Sequence, residues 1–516
     1  MADDKPTSMN RRTFLSHTSA ALGGWLCASG CSSTLSKRGN ARTAPTSNLV
    51  GYWPMRGDAQ DRSGHGHHGR IHGSGAADGQ FDGRGSFIEI PPCNSLNLGR
   101  DDFTLSAWVW SAPDTEDVHG DILTQFDPVR RRGFNFGLKA SAGGYSAQGD
   151  DRHVFFGIDD GRVGPWEDCG RPSPTSNYVS NSLTVFNGDL YAAITDAVRE
   201  EDWSHVFRYR GGQSWEDCGR VGKLKARGVG PMIAHRGHLY AATWNYDWTR
   251  VGIVRPDRPP YEADSCRVYR YAGGTRWEDC GQPGQCRRLF GLASFRGRLY
   301  VTAEDGRCYV YDGERTWTEC GHFTNYGHPM GIHNGKLYGG SIPRSEVFRY
   351  DDGTAWAAVG RFLDPADYQF RNPNEWARVT SLTVYGGKLF ASMGSCTSSH
   401  LDAPADFRGR VYAMTAGQCV SYDHDLGPGW KHLVAIRRGE RLELYLNGSR
   451  NAESAGLGQA AFDLSTNAPL RIGAGETDSF SGRIREVQLH RGALSAGEIH
   501  RLATPDHHPE AASTTA

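Results

Sequence analysis

The chain has 516 residues, more than one ordinary core accommodates, and its length predicts two or three domains. Lys and Arg number 57 against 58 Asp and Glu, for a net charge of -1; this offers no electrostatic case for a nucleic-acid partner, and no basic run supplies one. Gly is high at 66 and aromatics reach 11%, a composition without long helical periodicity that predicts an all-β chain of short strands and tight turns.

The first element, residues 1–31, reads as an address. It contains "MNRRTFLSHTSAALGGWLCASGC", in which Arg11-Arg12 precede Thr13, Phe14 and Leu15 and a short apolar stretch from Ala20 to Ala28. That stretch is too brief to span a bilayer. The segment resembles a twin-arginine export signal, the route of proteins that fold before crossing the membrane. Ala28-Ser29-Gly30-Cys31 resembles a bacterial lipobox, which implies lipidation of Cys31; a plain cleaved signal or short anchor is the other reading. Residues 32–47 form a Ser/Thr/Arg-rich linker. The chain is thus expected outside the cytoplasm, periplasmic or on the cell surface, touching a membrane only through a lipid on Cys31.

Residues 48–161 follow with "LVGYWPMRGDAQDRSGHGHHGRIHG", "GQFDGRGSFIEIPP" and "DFTLSAWVW". Short alternating runs between Gly-containing turns predict antiparallel strands with one wet face.

From 162 to 419 the chain repeats itself. "WEDCG" begins at Trp166, Trp215 and Trp277, returns as "WTECG" from Trp317 and decays to "WAAVG" from Trp356. Between copies stand hairpin runs such as "LTVFNGDLYAA" from Leu183 and "MIAHRGHLYAA" from Met232, where a two-residue turn joins alternating apolar strands. A third signal, "VFRY" or a variant, ends at Tyr209, Tyr271, Tyr311 and Tyr350, each six residues before the next Trp. Four strands per unit, recurring at intervals of roughly 40–60 residues, resemble a divergent kelch-like β-propeller. Five blades are expected, with the Trp phrase as a packing element, opening each unit as its first strand.

Residues 420–503 carry "WKHLVAIRRGERLELYLNGS" and "PLRIGAGETDSFSGRIREVQLHRGALSAGEI", again as alternating strands, before a disordered tail at 504–516. Together with 48–161 they resemble a laminin-G-like, concanavalin A-like jelly roll, on the segments Leu49–Pro54, Phe81-Asp82-Gly83, Phe103–Trp108, Trp430–Val434, Leu444–Gly448 and Gly482–Leu489. The fold class expected is therefore all-β, a concanavalin A-like sandwich with a five-bladed propeller inserted at a loop whose ends lie close together. Calcium is the one cofactor the resemblance admits, with Asp58, Asp61 and Asp82 as oxygen donors. "SGHGHHG" around His65, His67 and His68 reads as surface substitution in a loop.

In the propeller the short hairpins share one face and the long, uneven connections share the other. The long connections carry Trp203, Trp244, Tyr246, Trp248, Tyr261 and Trp376. Aromatics beside polar groups suit the apolar face and hydroxyl rim of a sugar ring, and equally a protein hot spot. No Glu-x-Asp-x-x-Glu strand, G-x-S-x-G elbow or H-E-x-x-H helix is present. The expectation is a non-enzyme that binds polysaccharide or glycoconjugate, with a cell-envelope protein partner as the alternative and a propeller hydrolase or lyase as a remoter one. After export, Cys286 with Cys308 or Cys396 with Cys419 are candidate disulfides, although spacing does not fix the pairing.

Overall fold

The computed structural model describes residues 48–504 except 114–118, 140–145, 149–151, 198, 223–225, 246–265, 287, 324–326, 334–335, 342–345, 362–376, 396–408, 457–461 and 476–477. The leader and Cys31 therefore lie outside the described residues. Among those described, the only α-helix is Ala496–Leu502, and no helix is long and apolar enough to cross a membrane. Strands account for nearly everything else.

Two seven-stranded sheets make the sandwich. One is built around Phe103–Ser111, which pairs with Gly429–Arg438 on one side and Ser481–Arg491 on the other. The other runs through Gly120–Asp127, Arg132–Lys139 and His153–Val163. Segments more than 300 residues apart in sequence thus form single ladders. Alternation sends Phe103, Leu105 and Val109 from the first sheet, and Phe134, Phe136 and Phe156 from the second, into one core with Trp53. The outer face of the first sheet is covered by the helix, whose Ile499 and Leu502 pack on Val434, Ile436 and Tyr445. Ser495 starts that helix with a capping box to Glu498, satisfying two exposed donors.

The insertion leaves and rejoins the sandwich between neighbouring strands. His153–Val163 pairs antiparallel with Ala416–Tyr422, Val163 standing opposite Ala416, and the Gly164 amide donates to the Thr415 carbonyl at 2.9 Å. Between these points five four-stranded blades form a ring. Their inner strands are Ser176–Phe186, Gly228–His235, Leu289–Phe295, Gly327–His333 and Ala377–Tyr385.

The Trp phrase stands at the opposite edge of the blade from the one its sequence order suggests. It is the outermost strand of the blade already under way, hairpinned to the V-F-R-Y strand with Tyr209 opposite Trp215, Tyr271 opposite Trp277 and Tyr311 opposite Trp317. The first copy, left over, closes the ring: Glu167–Asp168 pairs with Val411–Met414 and becomes the outer strand of blade five. A ring built this way has its last blade sewn from both ends of the insert.

Each letter of the phrase has a separate task. The Trp indole donates to the carbonyl of the Cys in the preceding blade: Trp215 to Cys169 at 2.8 Å, Trp277 to Cys218 at 3.0 Å, Trp317 to Cys280 at 2.8 Å and Trp356 to Cys320 at 3.1 Å. Glu216 and Glu278 pair across the hairpin with Arg208 and Arg270. Asp217 and Asp279 accept from the amide of the Gly two residues on. The thiols of Cys169, Cys218, Cys280 and Cys320 are buried. Gly281 sits at φ +94°, where a Cβ would collide with the Arg315 carbonyl at the turn before the next phrase. The Trp rings themselves stay half-buried, each packed on the Tyr of its own blade at 4.9–5.0 Å between centroids.

Between blades a second aromatic seam runs from Tyr191 to Tyr271, Tyr240 to Tyr311 and Tyr300 to Tyr350. The seam between blades four and five departs from this pattern. Val359 holds the Cys slot, Met414 holds the Tyr slot, and Trp166 is 49% exposed.

Two substitutions test the phrase. Trp277→Phe is expected to cost about 1–2 kcal/mol, since the Cys218 carbonyl loses its donor. Gly281→Ala is expected to cost about 2–3 kcal/mol, combining left-handed backbone strain with displacement of the neighbouring turn. Thermal unfolding followed by circular dichroism reads both; unchanged melting of either would mean the seam carries no such energy.

The sandwich is docked on the short-hairpin side of the ring. The Gly188 amide donates to the Asp423 carbonyl at 2.7 Å, Gly386 to the Asp423 carboxylate at 2.8 Å and Gly387 to the Ser421 hydroxyl at 2.9 Å. A three-residue strand from the sandwich, Ser146–Gln148, goes further. It pairs in parallel with the inner strand of blade three at Leu292–Ser294 and also lies against the inner strands of blades two and four. The edge it occupies is the one facing the propeller axis, so a piece of sandwich backbone sits in the channel.

Candidate functional site at the propeller loop face

With the hairpin side covered by the sandwich, the described connections at the other end of the blades, such as that around Trp203, face outward. Of the six aromatic residues expected there, Tyr246, Trp248, Tyr261 and Trp376 lie outside the described residues. Trp203 follows the short 3-10 turn Glu200–Asp202 and is half-buried, with the Arg227 guanidinium 4.3 Å from its ring centroid. Beside it, Asp202 accepts from Thr175 at 2.7 Å and from Arg199 at 2.9 Å. This corner joins the connections of blade one with the step into blade two.

Trp244 corrects the expectation placed on it. It ends the strand His238–Trp244 at 2% exposure, its indole donating to the Thr195 hydroxyl at 2.9 Å. Phe290 meets it edge-on at 6.4 Å, and the Arg288 guanidinium lies 4.3 Å from both ring centroids. It is a seam residue tying blades one, two and three together, with no surface left for stacking. A signal for this was present: Trp244 continues the period-two phase of Tyr240 and Ala242, both buried in one cluster.

Around these aromatics the described connections carry a rim of paired polar groups. Arg267 holds both oxygens of Asp279 at 2.9 Å. Burial pushes the Asp279 pKa up, but bonds from Arg267 and from the Gly281 amide outweigh it and leave the carboxyl below its ordinary range. Asp305 pairs with Arg307 and receives its amide. The five inner strands contain neither Asp nor Glu. Burial pushes the thiols of Cys169, Cys218 and Cys280 above their ordinary value, so they stay protonated and unreactive near neutral pH.

The calcium candidates are each engaged in local hydrogen bonds. Asp61 accepts from the Tyr52, Ser63 and His67 amides and from the Ser63 hydroxyl. Asp82 accepts from the amides of Arg84, Gly85 and Ser86. Asp58 is engaged with Arg62 and the Gln60 amide. These carboxylates close turns, Asp82 through one of its two oxygens. Among the described residues no group of three or more His, Cys, Asp or Glu side chains is placed to hold a metal. His67, bridging the Val50 carbonyl and Ser95, is likewise structural.

Among the described residues the cysteines are free thiols, and those that lie together are not Cys286 with Cys308. Cys286 faces Cys266 and Cys308 faces Cys320. Cys419 is buried in the sandwich near Lys139, and Cys396 lies outside the described residues.

A family model described as Laminin_G_3, Concanavalin A-like lectin/glucanases superfamily, matches residues 375–500. The match begins in blade five and takes in the sandwich strands from Ala416 to Arg491, which share their ladders with strands from residues 49–163. A comparison with curated proteins returns no match. Among solved structures, domain 4 of AbnA, a GH43 extracellular arabinanase from Geobacillus stearothermophilus in complex with arabinotriose, is 11% identical, covering 89% of this chain and 98% of its own at TM-score 0.26. A glutaminyl cyclase from Myxococcus xanthus is 12% identical over 50% of this chain and 96% of its own at TM-score 0.26. A Trypanosoma rangeli sialidase with the inhibitor DANA is 11% identical over 91% and 99% at TM-score 0.23. Likenesses this distant decide nothing about function.

Proposed function

We propose that the chain is an exported binding protein that takes polysaccharide or glycoconjugate on the loop face of its propeller. The observation that carries this reading is the docking of Gly188, Gly386 and Gly387 onto the sandwich, which leaves the Trp203 corner on the face turned away from it. Binding would combine stacking on Trp203, Tyr246, Trp248, Tyr261 and Trp376 with sugar hydroxyls donating to Asp202 and Asp305 and accepting from Arg199. No bond is made or broken in this scheme. Its support is the lack of acids on the inner strands and the protonated state of the buried thiols. The family match at the sandwich leaves room for a second contribution to sugar binding there. Export through the twin-arginine route, with a lipid on Cys31, completes the reading.

A glycan array probed with the wild type and with Trp203→Ala, Trp248→Ala and Tyr261→Ala tests it. At least one substitution is expected to weaken the wild-type signal about tenfold or more, the loss of one stacking aromatic. No glycan signal, combined with specific capture of one envelope protein, would move the reading to a protein partner. Turnover of a polysaccharide by the purified chain would overturn the non-catalytic scheme.

A further inference from the structure

Cys308 and Cys320 face each other in blade three alone. In the other blades the residue across from the Cys slot is Val206, Val268, Val347 or Val411, the opening Val of the V-F-R-Y strand. Blade three replaces that Val with Cys308. The two strands pair with Arg307 opposite His322 and Tyr309 opposite Glu319, and the register shift between them brings Cys308 against Cys320. Facing positions on antiparallel strands hold their Cα atoms about 4.5–5.5 Å apart, within the roughly 4.4–6.8 Å that a disulfide spans. Both side chains lie in one buried cluster. A second pair lies in the neighbouring seam, outside the strands: Cys266 and Cys286, 0% and 4% exposed, share a cluster with their thiols in hydrogen-bond contact.

We propose that these are two disulfide sites, Cys308–Cys320 and Cys266–Cys286, which close in an oxidising compartment and staple blades two and three. In each, the two thiols lose two protons and two electrons as one S–S bond forms. The electron acceptor is the active disulfide of a thiol–disulfide oxidoreductase, which leaves as a dithiol after a mixed-disulfide step. The burial of all four thiols means that the exchange proceeds while a blade is incompletely closed or locally open. The bulge at Arg307–Tyr309 interrupts the ladder beside Cys308 and is the place where opening is easiest.

The test uses the full chain recovered from the envelope of an exporting host, denatured and alkylated without reduction, then digested and read by mass spectrometry. The expected result is that Cys266, Cys286, Cys308 and Cys320 escape labelling, appear as two linked peptides in the stated pairs, and take up label after reduction. Labelling of all four, or links to other cysteines, overturns the proposal. Cys308→Val restores the residue that the other blades use and should fold. It is expected to leave Cys320 free and to lower the melting temperature by roughly 5 °C against the oxidised wild type, with no difference once both are reduced. Equal melting under oxidising conditions would remove the staple from blade three.

Discussion

Replacing Trp244 with Ala is expected to destabilise the propeller by about 3–5 kcal/mol while leaving glycan contacts of the folded protein in place. The indole is fully enclosed at 2% exposure, so its loss leaves a cavity that neighbouring backbone from three blades cannot collapse into. Thr195 loses the indole donor, and Arg288 loses one of the two aromatic faces that hold its guanidinium. The contrast with Trp203→Ala is the measurement. Trp203 is half-buried at the outward face, and its removal should move binding more than melting. If Trp244→Ala melted like the wild type yet lost glycan binding, the placement of this ring in the seam would be wrong.

Acid is expected to weaken the sandwich well before its carboxylates titrate. Burial drives His119 and His490 down from 6.5 to about 4. For His119 a hydrogen bond to the Ser481 carbonyl opposes this and the Arg152 charge adds to it. For His490 only the Glu498 charge opposes. Both groups are neutral when folded and take up protons more readily when unfolded. Their contribution is complete above about pH 6.5 and is lost as the pH falls toward 4, because the unfolded chain binds more protons across that window. The depression corresponds to roughly 3 kcal/mol per group, enough together to matter against a typical domain stability. Urea unfolding at pH 7.5 and pH 4.5 should show a clearly lower midpoint at acid. His490→Gln, neutral at both pH values, should remove about half of that difference. A flat profile in the wild type would place these rings in contact with water.

Much of the architecture was legible because it rests on local chemistry repeated. Two-residue turns between alternating runs specify hairpins, and five such hairpins with a constant six-residue step from Tyr to Trp specify blades. The split sandwich was legible through the resemblance of segments such as Phe103–Trp108 and Trp430–Val434, taken in order, to a laminin-G-like jelly roll. What could not be read is whatever depends on closure. The phrase opening at Trp166 looks like the start of a unit in linear order, whereas in the ring it completes blade five. The strand Ser146–Gln148 is three small or polar residues with no pattern at all, ordered by the inner edge that it meets. Trp244 was misplaced because the repeated hairpin phrase ends at Ala242, although the alternation of Tyr240 and Ala242 carries on into the indole. The turn-closing bonds of Asp61 and Asp82 were not legible for a related reason: an acid that caps a turn and an acid that holds an ion have the same letter.

The pairing of Val163 with Ala416 has a mechanical consequence. Leu49 and His490, near the two ends of the sandwich strands, are also partners across one ladder, with the helix Ala496–Leu502 following on the C-terminal side. A pull applied to the two termini therefore runs from Leu49 and His490 inward, peeling that ladder one bond at a time. The ring hangs from two adjacent strands as a side branch off this load path, and tension reaches it only after the sandwich has been unravelled. A tether at the N-terminal end could be strained and released while the blades kept their shape.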